Sequence, residues 1–269
     1  METYLDPKMQ AFIRYLDFPG NEPVLVYLAG LGLASTAAFP RIAIEPGLSE
    51  RRSLLVDLFG CGYSDRPDHF SYSLEEHART LSGLLDHIGA KRYVLVGHSM
   101  GGAVAIELAS MRSDLIVQLV LAEANLDAGG GGMSRSIAGQ TEADFIAHGF
   151  EELINKFRSA AMTGEYLASV VLGIWQLTSP LGFYRGAVSL VKGTEPVMWE
   201  QLLKLPIPRT YIFGNRSLEE YEEDRALRKR LERHDIQVAT VPDAGHGMMA
   251  ENPLGFAMVV GEALARYDL

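Results

Sequence analysis

Apolar residues recur along the chain in two rhythms. Short, β-rich apolar runs stand at Ala11–Phe18, Val24–Gly30, Arg52–Gly60, Tyr93–Gly97, Ile116–Glu123, Arg209–Gly214 and Ile236–Asp243. Several of them, such as YVLVG, are apolar throughout, as strands covered on both faces should be. Between them lie stretches with helical spacing. SLEEHARTLSGLLDHIGA offers Ser73 as its N-cap and Gly89 as its end. AVAIELASM follows Gly101-Gly102, and EYEEDRALRKRLERHD carries acids early and bases late, as the helix dipole favours. NPLGFAMVVGEALARY has Pro253 in its first turn. Strands alternating with helices predict an α/β domain built on a mainly parallel sheet.

The alternation stops between Ala128 and Lys204, where the chain reads as several helices without a strand. The segment opens with Gly129-Gly130-Gly131-Gly132, which reads as a flexible junction because a glycine run stabilises neither helix nor strand. The expected organisation is a core domain of residues 1–127 and 205–269, with residues 128–204 inserted as a helical cap.

Composition narrows the class. At 269 residues and 48% hydrophobic content the chain can bury a sizeable core. A formal net charge of −10 excludes a phosphate backbone or a polybasic membrane anchor as the expected partner. Cys61 is the sole cysteine, so no intrachain disulfide can form and a reducing compartment is expected. METYLDPKMQ lacks the apolar core of a secretory signal, and YLASVVLGIW is about half of what a bilayer span needs. These features lead to the expectation of a soluble cytoplasmic protein, a monomer or homodimer, whose partner is a small-molecule substrate rather than nucleic acid or membrane.

GHSMGG, Gly97 to Gly102, carries the chemistry. A Gly-x-Ser-x-Gly that leaves an apolar strand and runs into a helix has the context of a nucleophile elbow. Side chains two residues either side of a serine on so sharp a turn would collide, and Gly97 and Gly101 remove that collision. Ser99 is therefore the expected nucleophile, and the Met100 N–H at the helix N-terminus is aimed where an oxyanion would form. Among seven histidines, only His246 sits in a Gly-flanked loop between a late strand and the last helix. It is the expected base, whereas solvated or capping roles are expected for His77 and His87, and His98 is expected to point away from Ser99.

DLFGCGYSDRP, VLVGHSMGG and AGHGMMAENP, in this order and spacing, resemble the α/β-hydrolase superfamily over nearly the whole chain. The resemblance implies an α/β-hydrolase fold with an eight-stranded, mostly parallel sheet flanked by helices, and a helical cap after the sixth strand. It also implies a nucleophile–acid–histidine triad. In that family the acid commonly follows the seventh strand in a Gly-x-x-Asp pattern, but here Gly214-Asn215-Arg216-Ser217 ends in a serine. Glu123, at the end of the apolar run LVLAE, matches the acid position of haloalkane dehalogenases, and burying an unpaired carboxylate there would be costly. Glu123 is thus the preferred acid, with Glu219, Glu220 and Asp127 as alternatives. The loop LAGLGLAS, by the same resemblance, offers the Leu31 N–H as second oxyanion donor, although Ala29 stands where relatives often carry histidine.

Aromatic residues of residues 128–204 suggest an apolar pocket, with Trp175 and Met248 as candidate wall residues. No histidine or cysteine spacing suits a metal, and no glycine fingerprint suits a dinucleotide, so no cofactor is expected. The expected activity is serine hydrolysis of a small, largely apolar ester, lactone or thioester. C–C bond hydrolysis, aminopeptidase action and acyl transfer use the same triad, and a ligand receptor with incidental turnover is the rival of another class.

Overall fold

In the computed structural model, which describes residues 1–267, the apolar runs form one eight-stranded sheet. Its strands are β1 (Glu2–Asp6), β2 (Ala11–Phe18), β3 (Asn21–Leu28), β4 (Arg51–Asp57), β5 (Tyr93–His98), β6 (Ile116–Ala122), β7 (Arg209–Gly214) and β8 (Gln237–Val241). The order is β1-β2-β4-β3-β5-β6-β7-β8; β1 and β2 are antiparallel to their neighbours and every other pairing is parallel. The fold expected from the sequence is the fold observed. The strand without an expectation is β1, and its sequence explains why. ETYLD has no apolar alternation; it is held by pairing with β2 and by Asp6, whose carboxylate accepts from Lys8 N–H at 2.9 Å and Met9 N–H at 2.8 Å.

The central strands are buried on both faces, and the two-residue period sorts their side chains. Val24, Val26 and Leu28 of β3 face one core, with Leu81, Leu84 and Ile106 of the helices Leu74–Ile88 and Met100–Met111. Leu25 and Tyr27 face the other, with Phe39, Ile42, Phe256 and Val260. The first of these helices starts as expected: Ser73 accepts from Glu76 N–H at 3.2 Å, and Gly89 closes it with φ 71°. His77 departs from its expected solvated role. It is fully buried against Phe70 and Tyr72, and burial pushes its pKa down to about 3.

The chain segment that connects β6 to β7, which pair directly in the sheet, forms helices Gly132–Ala138, Glu142–Asp144, Phe150–Met162, Tyr166–Trp175, Pro180–Lys192 and Met198–Lys204, with a π-helical turn Phe145–Gly149. The glycine run is only partly a junction, since Gly132 already belongs to the first helix. Thr178 fastens this layer to the loop after β3 by donating its hydroxyl to the Gly32 carbonyl at 2.6 Å, and Arg66 donates to the Leu177 carbonyl at 2.7 Å. A Cβ at Gly32 would strike the Phe183 ring, so glycine permits this close approach. The acidic helix after β7 also differs from expectation. Tyr221 is extended and divides it into Asn215–Glu220 and Glu222–Glu232. Among the described residues, no single helix is long and apolar enough to cross a membrane.

Candidate active site

The parallel strands end on the same edge of the sheet, and five of these ends carry the candidate groups: Leu31 after β3, Ser99 after β5, Glu123 after β6, Ser217 after β7 and His246 after β8. Carboxyl ends of such strands are where open α/β sheets bind ligands. Ser99 has φ 52° and ψ −122°, a left-handed turn that few non-glycine residues adopt. Its neighbours show why the motif needs glycine. A Cβ at Gly97 would lie 2.6 Å from the Gly102 Cα, and one at Gly101 would fall on the Leu28 carbonyl. The Met100 N–H opens the helix Met100–Met111, so it has no intrahelical acceptor.

His246 and Glu123 meet directly. The His246 Nδ1 lies 2.7 Å from Glu123 Oε2, while Glu123 Oε1 accepts from the Gly214 N–H at 2.9 Å. With Nδ1–H donated to the carboxylate, the Nε2 lone pair is left to accept a proton. The Glu123 side chain is only 7% exposed. Burial would raise its pKa, but the His246 ring, the Gly214 N–H and the Ser217 hydroxyl outweigh it and hold the carboxyl below its ordinary value. Glu123 itself has φ 40°, which turns the chain at the end of β6 toward the cap helices.

The alternative carboxylates are placed elsewhere. Glu219 accepts from Asn215 at 3.3 Å on the exposed face of its short helix, and Glu220 is exposed at that helix's end. Asp127 pairs with Arg230 at 2.6 Å, whose guanidinium lies over the Trp199 ring at 3.7 Å. Ser217, by contrast, is 2% exposed and turned toward Glu123.

Two supports escaped the sequence reading. The ring of His98 meets the loop that carries the base: its Nε2 is 2.9 Å from the His246 carbonyl and the two rings are 4.6 Å apart. Because a carbonyl only accepts, Nε2 carries the hydrogen, and the buried Nδ1 is an acceptor without a protein partner among the described residues. Burial, aided by the nearby His246, pushes the His98 pKa down to about 3, so it stays neutral. Ser35 accepts from the Ala29 N–H at 3.0 Å, which fixes the loop where relatives are expected to use a histidine. Only the third dimension reveals either contact, since Ser35 and His98 are ordinary residues by local pattern.

Ser99 and His246 line a cavity of about 520 Å³ between the sheet edge and the cap helices. Gly30 and Leu31 form its core side, and Phe157, Val171, Ile174 and Trp175 its upper side. Trp175 thus reaches the cavity. Met248 does not: it is fully buried among Phe256, Val260 and other residues of the second core, and Met249 reaches the cavity instead. The helix Met248–Glu251 turns its first side chain inward to anchor the His246 loop. No cluster of His, Cys, Asp and Glu that could hold a metal occurs among the described residues.

Residues 25–259 match the profile of the Alpha/beta hydrolase family. The chain belongs to that family. It is 29% identical over 262 residues to the sn-1-specific diacylglycerol lipase ABHD11 of Mus musculus, covering 93% of this chain and 83% of that one. Over a shorter stretch of 110 residues it is 37% identical to haloalkane dehalogenase 2 of Mycobacterium tuberculosis. That match covers 40% of this chain and only 37% of the relative's length. Among solved structures, the enol-lactonase from Burkholderia xenovorans LB400 superposes with a TM-score of 0.78 at 19% identity, covering 98% of this chain and 100% of the lactonase. The dehalogenase stretch and the lactonase superposition carry the fold and no substrate.

Proposed function

We propose that this hydrolase cleaves small, largely apolar carboxylic esters, lactones or thioesters, with Ser99 as nucleophile, His246 as base and Glu123 as the acid that orients His246. One observation carries the reading: the 2.7 Å His246–Glu123 contact fixes the imidazole tautomer at a cavity that Ser99 also lines. The Ser99 hydroxyl passes its proton to His246 Nε2 as Oγ bonds to the substrate carbonyl carbon. The Leu31 and Met100 N–H groups receive the negative charge on the former carbonyl oxygen. Collapse breaks the bond to the leaving alcohol, which takes the proton from His246 and departs. Water then attacks the acyl-enzyme by the same route, returning the proton to Ser99 and releasing the acid. Residues 128–204 act as a cap whose apolar underside, with Phe157, Val171, Ile174 and Trp175, takes the substrate body.

Relatives named as a lipase and an esterase support an acyl substrate over a carbon–halogen bond. The serine at position 99 supports it too, because it can form and release an acyl ester. The test is hydrolysis of p-nitrophenyl acetate through p-nitrophenyl octanoate, with Ser99→Ala as control and fluorophosphonate labelling of Ser99 in parallel. Activity and labelling that both vanish in Ser99→Ala are expected. Neither activity nor labelling in the wild-type chain would refute the reading and favour a receptor.

A further inference from the structure

Among the described residues, the catalytic cavity contains a single side chain with a permanent charge, and it is a cation. Apart from Ser99, His98 and His246, its wall is apolar except for Tyr166 and Arg41. The chain holds 34 acidic and 24 basic residues, yet among the described residues no carboxylate lines this cavity. Arg41 is exposed, and it has no hydrogen bond or ion pair among the described residues. Arg14, Arg52, Arg112, Arg185 and Arg230, in contrast, are each matched with a carboxylate.

The position of Arg41 is fixed although its charge is free. It belongs to the helical turn Pro40–Ala43, whose first residue is proline and whose Ile42 and Ala43 are buried in the second core. Ala37, Ala38 and Pro40 of the same region also line the cavity, so the arginine stem continues an apolar wall and its guanidinium lies toward solvent.

We propose that Arg41 selects esters that carry a carboxylate remote from the scissile bond. The apolar body of such a substrate fills the cavity, and its carboxylate remains at the solvated mouth, where a guanidinium can bind it through two parallel hydrogen bonds. No charge is then buried without a partner. The net charge of −10 repels anions at long range, so the local cation gives this site a preference that the rest of the surface opposes. This inference rests on the ester-hydrolase reading, but it can fail separately from it.

The experiment compares mono-p-nitrophenyl adipate with neutral p-nitrophenyl hexanoate for the acyl half, and 4-carboxyphenyl butyrate with phenyl butyrate for the alcohol half. Each is assayed with the full wild-type chain and with Arg41→Gln. For one anionic ester, Arg41→Gln should raise KM about five- to tenfold with kcat within about twofold, and high salt should erase the difference. The neutral esters should change less than about twofold. The half that responds tells which side of the cleaved bond faces Arg41. Binding of the same compounds to Ser99→Ala, followed by fluorescence of Trp175 in the cavity wall, separates the two readings. Arg41-dependent binding of the anion without any turnover refutes ester hydrolysis and keeps the anion site. Turnover with equal KM changes for anionic and neutral esters keeps the hydrolase and overturns the role of Arg41.

Discussion

The ends of β6 and β7 are neighbours in the sheet, and either could present an acid to His246, yet they are built differently. At the end of β6, Glu123 is almost completely covered, bonded to His246 and to a backbone N–H from β7. At the end of β7, Gly214-Asn215-Arg216-Ser217 supplies that N–H and a hydroxyl, while its acids Glu219 and Glu220 face solvent. The two ends divide one task. A carboxylate on one strand needs donors to stay ionised under cover, and the adjacent strand end provides them. A serine at position 217 is thus suited to a carboxylate beside it, where an aspartate would bring a second negative charge into the same place.

The largest test of this division is removal of the acid. Glu123→Gln should lower kcat for p-nitrophenyl esters by about 10²- to 10⁴-fold, whereas Glu219→Gln, Glu220→Gln and Asp127→Asn should stay within about twofold. Steady-state kinetics on the four variants decides it, and a large loss in any of the last three would undo the assignment. Next in size is relocation of the acid. Glu123→Ala with Ser217→Asp should recover about tenfold in kcat over Glu123→Ala alone, because the new carboxylate starts from the buried position already facing the old one. Ser217→Asp in the presence of Glu123 should instead slow the enzyme, since two nearby carboxylates disfavour each other's ionised form. Ser217→Ala should cost the least, about three- to tenfold, with the acidic limb of the pH–rate profile moved to higher pH.

Stability carries a separate signature from the two buried histidines. His77 and His98 are both pushed from an ordinary 6.5 down to about 3. The unfolded chain therefore binds protons below pH 6.5 that the folded chain refuses, so stability is complete above that pH and falls as the solution is acidified toward 3. Each group contributes a slope of about 1.4 kcal/mol per pH unit across that window. Urea unfolding at pH 7, 6 and 5 should show the decline, and His77→Phe should make it shallower while leaving esterase activity in place. An identical slope in that variant would show that His77 is not responsible.

Much of this protein was readable before the structure, and the reasons are local. The elbow GHSMGG contains its own steric logic, since Gly97 and Gly101 are needed wherever a serine stands on that turn. Seven strands were visible because burial on both faces leaves continuous apolar runs, while β1 was invisible because pairing, not burial, defines it. Met248 and Met249 were indistinguishable in sequence, and only the direction in which a four-residue helix enters the core separates the buried one from the cavity residue. The contact of His98 is hidden for a related reason: the elbow turns it from Ser99, and the loop after β8, distant in sequence, returns to meet it.

Periodicity, glycine placement and the lone carboxylate on an apolar run determined the fold class and marked Ser99, His246 and Glu123 as candidates, because each is a constraint among residues adjacent in the chain. Tertiary structure alone decided which donors surround that carboxylate, that His98 and Ser35 brace the loops, and that Arg41 stands at the cavity mouth. Those contacts join strand ends and loops that are distant in sequence, and no local pattern records a meeting that the sheet order brings about.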